Sequence, residues 1–276
     1  MSNHFHLVIK VQHEQALQWN ADEIIGRWSQ LFSQPDLIKR YRSGDQLSEL
    51  ELDAISDLLE TWRKRLYSLS WFMRTLNEPI ARQANQEDAC TGRFWEGRFT
   101  SQALLDEAAL LTAMAYVDLN PVRANIAETP EKSHFTSIQE RIQHWAKQQR
   151  TGAHASISTS LAAAATVLLS FRNPDQAHQS DTETLPFQFE DYLELVDWTG
   201  RAIRPDKRGH IHKRYPPILE RLGINNHKFL RHMKRNENGF YHMIGRPYRI
   251  QEAARMFGVR FFKGQGYAKQ LFSASW

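Results

Sequence analysis

Hydrophobic positions follow two periods along this chain. At its start Phe5, Leu7, Ile9 and Val11 recur at every second residue, interleaved with His4, His6 and Val8. Side chains alternate between faces along a strand, so residues 1–11 are expected to form one. The pattern then turns helical. Leu17, Ile24, Ile25, Trp28 and Leu31 fall on a helix expected over 14–34, and a loop containing Pro35 and Gly44 follows over 35–47. A highly charged helix runs from Leu47 to about Tyr67. Ser68 or Ser70 can cap the next helix, whose core stripe reads Leu69, Phe72, Met73, Leu76 and Ile80, with a kink or break expected at Pro79. Residues 94–105 read as a strand. Asp106 is the expected N-cap of a helix that reaches about Asn120 and is stopped by Pro121, with Leu110, Met114 and Val117 as its core stripe. A further helix is expected over 135–149.

Beyond this point the composition shifts. Residues 151–184 are rich in Ala, Ser, Thr and Gln, helical over 157–171 and otherwise a linker. The chain therefore divides into 1–150, a linker over 151–184, and a C-terminal domain over 185–276. Net charge is +4, but it is unevenly spread. Residues 201–276 hold 17 Lys+Arg against 4 Asp+Glu, leaving the remainder acidic. Such asymmetry suggests a nucleic-acid-binding tail or, failing that, a basic solvated surface. A single cysteine, Cys90, excludes an intramolecular disulfide framework and a zinc ribbon. No apolar run is long enough to span a membrane, and the opening residues are not expected to act as a secretory signal. A cytoplasmic DNA enzyme fits these features.

Two segments carry chemistry. In Asn3-His4-Phe5-His6-Leu7-Val8-Ile9 a strand would place His4 and His6 on one face, with Cα atoms about 6–7 Å apart, close enough to chelate one metal ion. Imidazole suits Zn, Mn, Fe or Cu better than Mg. Two ligands do not make a site, and a polar strand face meeting solvent also describes the pair. In Tyr116-Val117-Asp118-Leu119-Asn120-Pro121-Val122-Arg123-Ala124, Tyr116 lies roughly 200° around the helix from Met114 and is expected to point away from the core. Asn120, one turn later, is expected beside it. A half-exposed tyrosine and a helix-closing asparagine describe these two residues as well.

Together these segments, with Phe94-Trp95-Glu96-Gly97-Arg98-Phe99 between them, resemble the HUH single-tyrosine transposases. More closely, they resemble the REP-associated tyrosine transposases and their longer bacterial relatives. The similar stretches are 1–11, 69–85, 92–105 and 114–124, in family order, and 185–201 is similar to the tail of the longer members. The resemblance implies that His4 and His6 bind a divalent metal, Mg or Mn, that Asn120 supplies the third ligand, and that Tyr116 is the catalytic nucleophile. It implies DNA transposition: cleavage and rejoining of single-stranded hairpin DNA through a 5′-phosphotyrosine, the metal polarising the scissile phosphate. With one tyrosine at the motif, strand transfer needs a homodimer or successive reactions. Arg74, Arg93, Arg98 and Arg123 are candidate phosphate contacts. Phe94, Trp95 and Phe99 could stack on bases, although at least two of the three are expected in the core.

The implied fold is α+β: a ferredoxin-like HUH domain with an antiparallel sheet and helices, followed by a mainly helical basic extension. In that family the His-x-His strand lies between the first two strands, and this chain begins at it. The expectation is an N-terminally truncated catalytic domain whose central strand lacks both neighbours. The alternative function is a catalytically defective protein, derived from such a transposase, that binds hairpin or repeat DNA without cutting. Two further motifs remain. His210-Ile211-His212 sits in a basic segment and reads as a DNA-facing or solvated loop. Residues 251–259 resemble the first helix and turn of a helix-turn-helix, with Ala254 four residues before Gly258, but no clear recognition helix follows.

Overall fold

The computed structural model describes residues 4–151, 168–172, 184–203, 216–235 and 241–272. His210, His212 and most of the helix expected over 157–171 lie outside the described residues. The fold is α-rich with two short parallel ladders. It divides into two compact units, Ile9–Thr100 on one hand and Met1–Val8 with Ser101–Trp276 on the other.

Ile9–Thr100 holds five helices: α1 (His13–Gln18), α2 (Ala21–Ser29), α3 (Asp36–Ser43), α4 (Glu49–Leu66) and α5 (Leu69–Glu87). The single helix expected over 14–34 is split in two. Asn20 takes an extended conformation, accepts from the Glu23 N–H at 3.0 Å and donates its own N–H to the Glu23 carboxylate at 2.8 Å, a reciprocal cap that starts α2 afresh. The Arg63 guanidinium then ties off the end of α1, donating to the carbonyls of Ala16 at 2.9 Å and Trp19 at 2.7 Å. Within the expected loop 35–47, α3 starts after Pro35 and is closed by Gly44 at φ 76°. Ile24, Ile25, Trp28, Ile38, Ile55 and Trp62 form the core, with the Trp28 and Trp62 rings stacked 4.7 Å apart. Ser68 caps α5 as expected. That helix runs unbroken through Pro79, however, and of its expected stripe only Met73 is buried, while Phe72 and Ile80 are exposed.

In the second unit β1 (Ala103–Leu104) pairs with β4 (Met243–Ile244), and β2 (Ser170–Phe171) with β3 (Thr184–Leu185), both in parallel rather than in the expected antiparallel sense. The expected strand over 94–105 shrinks to β1. Residues 4–11 join no ladder among the described residues, and Phe5, Leu7, Val8, Ile9 and Val11 stay exposed. Alternation gives a segment two faces, but a strand needs a neighbour to accept its backbone hydrogen bonds.

Among the described residues the remaining helices are α6 (Glu107–Asp118), α7 (Asn120–Arg123), α8 (Ser137–Thr151), α9 (Phe189–Ile203), α10 (Pro217–Arg221), α11 (Asn226–Arg235), α12 (Pro247–Met256) and α13 (Gln265–Leu271). Asp106 is the N-cap of α6 as expected, accepting from the Ala109 N–H at 2.9 Å. Its second oxygen accepts from the Arg246 N–H at 2.6 Å and joins the start of α6 to the start of α12. Gly245 allows this close crossing, since a Cβ there would sit 2.9 Å from the Leu105 Cβ. α6 ends at Asp118, close to the end expected before Pro121, and Pro121 itself sits in the first turn of α7. The buried face of α6 differs from the expected stripe. Met114 is buried, but Leu110 and Val117 are only partly so, and Ala108, Ala109, Leu111, Thr112, Ala115 and Asp118 form the rest of the interior.

One core runs from α6 through α8 and α9 to α13, including Leu111, Ile138, Tyr192, Ile218, Phe229 and Leu271. The expected boundaries at 150 and 185 therefore do not coincide with the compact units; α6 and the C-terminal helices share an interior. The segment expected to begin a helix-turn-helix forms α12 with Gly258 at φ 64°. The next helix, α13, starts only after 257–264, so no recognition helix follows in a tight turn. Among the described residues no helix is long and apolar enough to cross a membrane.

Glu51 in the first turn of α4 accepts from the Ser48 N–H and from the Arg40 guanidinium, and these contacts hold its carboxyl down at about 2. A depressed carboxylate stabilises the folded state above its ordinary range, and this contribution is lost as pH falls through the folded value. Glu51→Gln should lower the melting temperature at neutral pH and converge with the native chain near about pH 2, measured by circular dichroism melts across that range.

Candidate active site

The helix bearing Tyr116 is fixed at its start by Asp106 and at its end by Asp118. Asp118 is almost fully buried and accepts from the Ser137 hydroxyl at 2.8 Å and the Tyr192 hydroxyl at 2.5 Å. Burial pushes the Asp118 carboxyl up against these donors and the nearby Arg141; the wholly buried Tyr192 is also pushed well up, by burial and by Asp118. The network anchors α6 to α8 and α9.

Tyr116 is half-buried and packs against the core, whereas its rotation from Met114 suggested an outward direction. The reason is that α6 is buried around most of its circumference and has no single inner stripe. The His6 ring lies 5.8 Å from the Tyr116 ring at 78°, and the His4 ring lies 5.0 Å from that of His6 at 80°. The Arg123 guanidinium stands 4.0 Å over the Tyr116 ring. Thus His4, His6, Tyr116 and Arg123 come together although the first two lie in a segment remote in sequence. Asn120 is buried, 4% exposed, at the first position of α7. Leu119, between the end of α6 and Asn120, keeps right-handed helical geometry.

The two histidines fit the first two places of a metal site. His6 Nε2 is buried without a hydrogen-bond partner. Burial, then His4, then Arg123 lower the His6 pKa, favouring the neutral imidazole that ligates metals. Two imidazoles bound to one ion at about 2.1 Å have ring centroids roughly 4.5–5.5 Å apart, which is the spacing seen here. Among the described residues there is no group of three or more His, Cys, Asp or Glu side chains that could hold an ion.

Arg74, Arg93 and Arg98 belong to the other unit, Ile9–Thr100. Arg74 pairs with Glu78 at 3.5 Å and lies over the Trp71 ring at 5.2 Å. Arg93 donates to the Glu96 carbonyl at 3.4 Å, and Arg98 is exposed. Phe94 and Phe99 are exposed rather than core, and Trp95 is half-buried with its Nε1–H donated to the Asn77 carbonyl at 3.0 Å. Trp95 thus anchors a turn that leaves two aromatic rings beside Arg93 and Arg98.

Sequence reading missed His232. It is buried on α11, its ring 5.8 Å from that of Tyr116, and its Nδ1 shares a 2.8 Å hydrogen bond with the Tyr267 hydroxyl. The only sequence signal is its spacing of three from Phe229, which puts it on the apolar face of α11. In comparisons with known proteins, no family model, no curated protein and no solved structure matches this chain.

Tyr192→Phe removes one of two hydroxyl donors to a buried carboxylate, at an expected cost of about 1–3 kcal/mol. Because the folded Asp118 pKa is already raised, its stabilising contribution is fullest below the ordinary carboxylate range and declines as pH rises. The cost of the variant should therefore grow from acidic to neutral pH, as read by urea unfolding at both.

Proposed function

We propose that this protein is a metal-dependent single-tyrosine transposase of the HUH class, similar to the REP-associated transposases, acting on single-stranded hairpin DNA. The observation that carries the reading is the convergence of His4, His6 and Tyr116, with the His6 ring 5.8 Å from the Tyr116 ring. In this reading the Tyr116 oxygen attacks the scissile phosphorus, a phosphotyrosine bond forms, and the 3′ oxygen leaves and is protonated to a 3′-hydroxyl. The reverse attack by a 3′-hydroxyl rejoins the strand, because the phosphotyrosine conserves the phosphodiester energy. The Arg123 guanidinium beside Tyr116 supplies positive charge for the phosphate oxygens. His4 and His6 would hold the divalent ion, Mg or Mn, with Asn120 as the third ligand by resemblance; when bound it polarises the phosphate. Imidazole ligation favours Mn of the two. Arg93 and Arg98 beside the exposed Phe94 and Phe99 rings suit a single strand, through phosphate pairing and base stacking. The fold that accompanies this reading is the ferredoxin-like HUH domain, with 4–11 as its central strand when neighbours pair with it.

A second reading, a hairpin-binding protein that does not cut, is supported by residues 4–11 forming no ladder and exposing their apolar side chains. Labelled hairpin oligonucleotides from the protein's own genomic flanks, incubated with Mn or Mg and run on a denaturing gel, decide between the two. The transposase gives a covalent adduct that disappears with chelator and in Tyr116→Phe, and falls by at least ~10-fold in His6→Ala, since losing a ligand costs no less than losing one of its supporting partners. Hairpin binding with no adduct, unchanged by Tyr116→Phe, establishes the binding protein.

A further inference from the structure

Two helices in the C-terminal part of the chain, α10 and α11, are joined by a tight glycine turn. α10 ends at Arg221, and Gly223 follows at φ 62°, its N–H donated to the Glu220 carbonyl at 2.9 Å while the Ile224 N–H reaches the Leu219 carbonyl at 2.8 Å. This left-handed cap suits glycine and turns the chain sharply. The Asn225 side chain then accepts from the Lys228 N–H at 3.0 Å and starts α11. Two helices are thus joined by the short turn 222–225. Ile218, Leu222, Ile224, Phe229 and Met233 are buried on the inner side of this hairpin of helices, and α9 packs against both α10 and α11. The Arg246 guanidinium donates to the Leu222 carbonyl at 2.9 Å and pins the turn.

The outer face of α11 has a different chemistry. His227, Arg231 and Lys234 recur at i, i+4 and i+7, so they share one stripe, and all three are exposed. No acidic residue occurs from 222 to 235. The glycine turn and the apolar seat on α9 fix the cationic face of α11 outward. A helix with its side chains is about 10–12 Å across, which fits a major groove about 12 Å wide.

We infer that α9, α10 and α11 form a helix-turn-helix unit whose second helix of the pair, α11, enters the major groove of duplex DNA, with Arg231 and Lys234 as its contacts. The inner face of the same helix carries His232 against Tyr116. A duplex on the outer face therefore lies about one helix diameter, roughly 10 Å, from the tyrosine. That places a hairpin stem next to the strand presented to Tyr116, a corollary that rests on the transposase reading; duplex binding itself does not.

The test is fluorescence anisotropy of the full chain with a blunt labelled DNA duplex of about 20 base pairs, long enough to offer a full turn of groove, titrated at several salt concentrations. Arg231→Gln/Lys234→Gln should weaken duplex binding at least ~10-fold and reduce the salt slope by about 2, as expected for two lost phosphate contacts. The charge-matched control Arg42→Gln/Lys64→Gln, on α3 and α4, should leave both unchanged. An A-form RNA duplex of equal length should bind more weakly, because its major groove does not admit a helix. Unchanged duplex affinity in the first variant, an equal loss in the control, or equal affinity for the RNA duplex overturns the inference. Each readout stands whether or not any adduct forms at Tyr116.

Discussion

The buried Asp118 carboxylate holds the second unit together. A charge in a protein interior is costly unless its oxygens are matched by donors, and here each oxygen receives a hydroxyl, one from Ser137 at the start of α8 and one from Tyr192 on α9. Two helices, α8 and α9, are thereby fixed to the C-terminal end of α6, two residues past Tyr116. α9 in turn seats α10 and α11, whose His232 returns to the Tyr116 ring. The candidate site is thus closed by a path that leaves α6 through Asp118 and comes back through the tail.

The other end of α6 is held with comparable economy. One Asp106 oxygen caps its own helix and the other takes the Arg246 N–H, while the Arg246 side chain reaches the Leu222 carbonyl in the turn before α11. The two-residue ladder of β1 with β4 brings these groups together, and it tolerates no side chain at Gly245. So short a ladder contributes little by itself. Its importance lies in setting the register between the start of α6 and the start of α12, and through Arg246 the position of the glycine turn.

Features with a local cause were legible in the sequence. The caps Ser68 and Asp106, the charged helix α4 and the helix near 135–149 each announce themselves within a few residues. Features decided by distant partners were not. Alternation in 4–11 predicted a strand, but a ladder depends on a neighbour that the pattern does not contain. The stripe on α6 was misplaced because a helix buried on most sides carries little amphipathic signal, and Ala108 and Ala115 look neutral in sequence although both are wholly buried. Residues 251–259 resembled the start of a helix-turn-helix, whereas the tight glycine turn between two helices lies at Gly223. Both glycines are left-handed and follow an apolar helix; the difference is what comes next, a capped basic helix at Asn226 or the irregular stretch 257–264. At the candidate site, the grouping of His4, His6, Tyr116 and Arg123 was implied by the resemblance; spacing alone left each motif an ordinary structural account. His232 was not legible, since its one signal, a spacing of three from Phe229, marks an inner helix face but not a partner.

The two faces of α11 bear on how a site of this kind can work. Its inner face packs His232 on Tyr116, with Tyr267 holding the imidazole from behind, and its outer face is the cationic stripe. A nucleophile gains from being held in one orientation before the phosphate arrives, because the entropy of alignment is then lost in binding rather than in the reaction. If the groups that grip the duplex and the group that flanks the tyrosine are borne by one short helix, energy from stem binding can be used to hold the tyrosine in place. Weakening the grip would then reduce the rate of adduct formation even at saturating DNA, whereas two independent sites would show only a loss of affinity. The constraint joins the two proposals through one geometric fact: ten residues of helix cannot shift one face and leave the other behind.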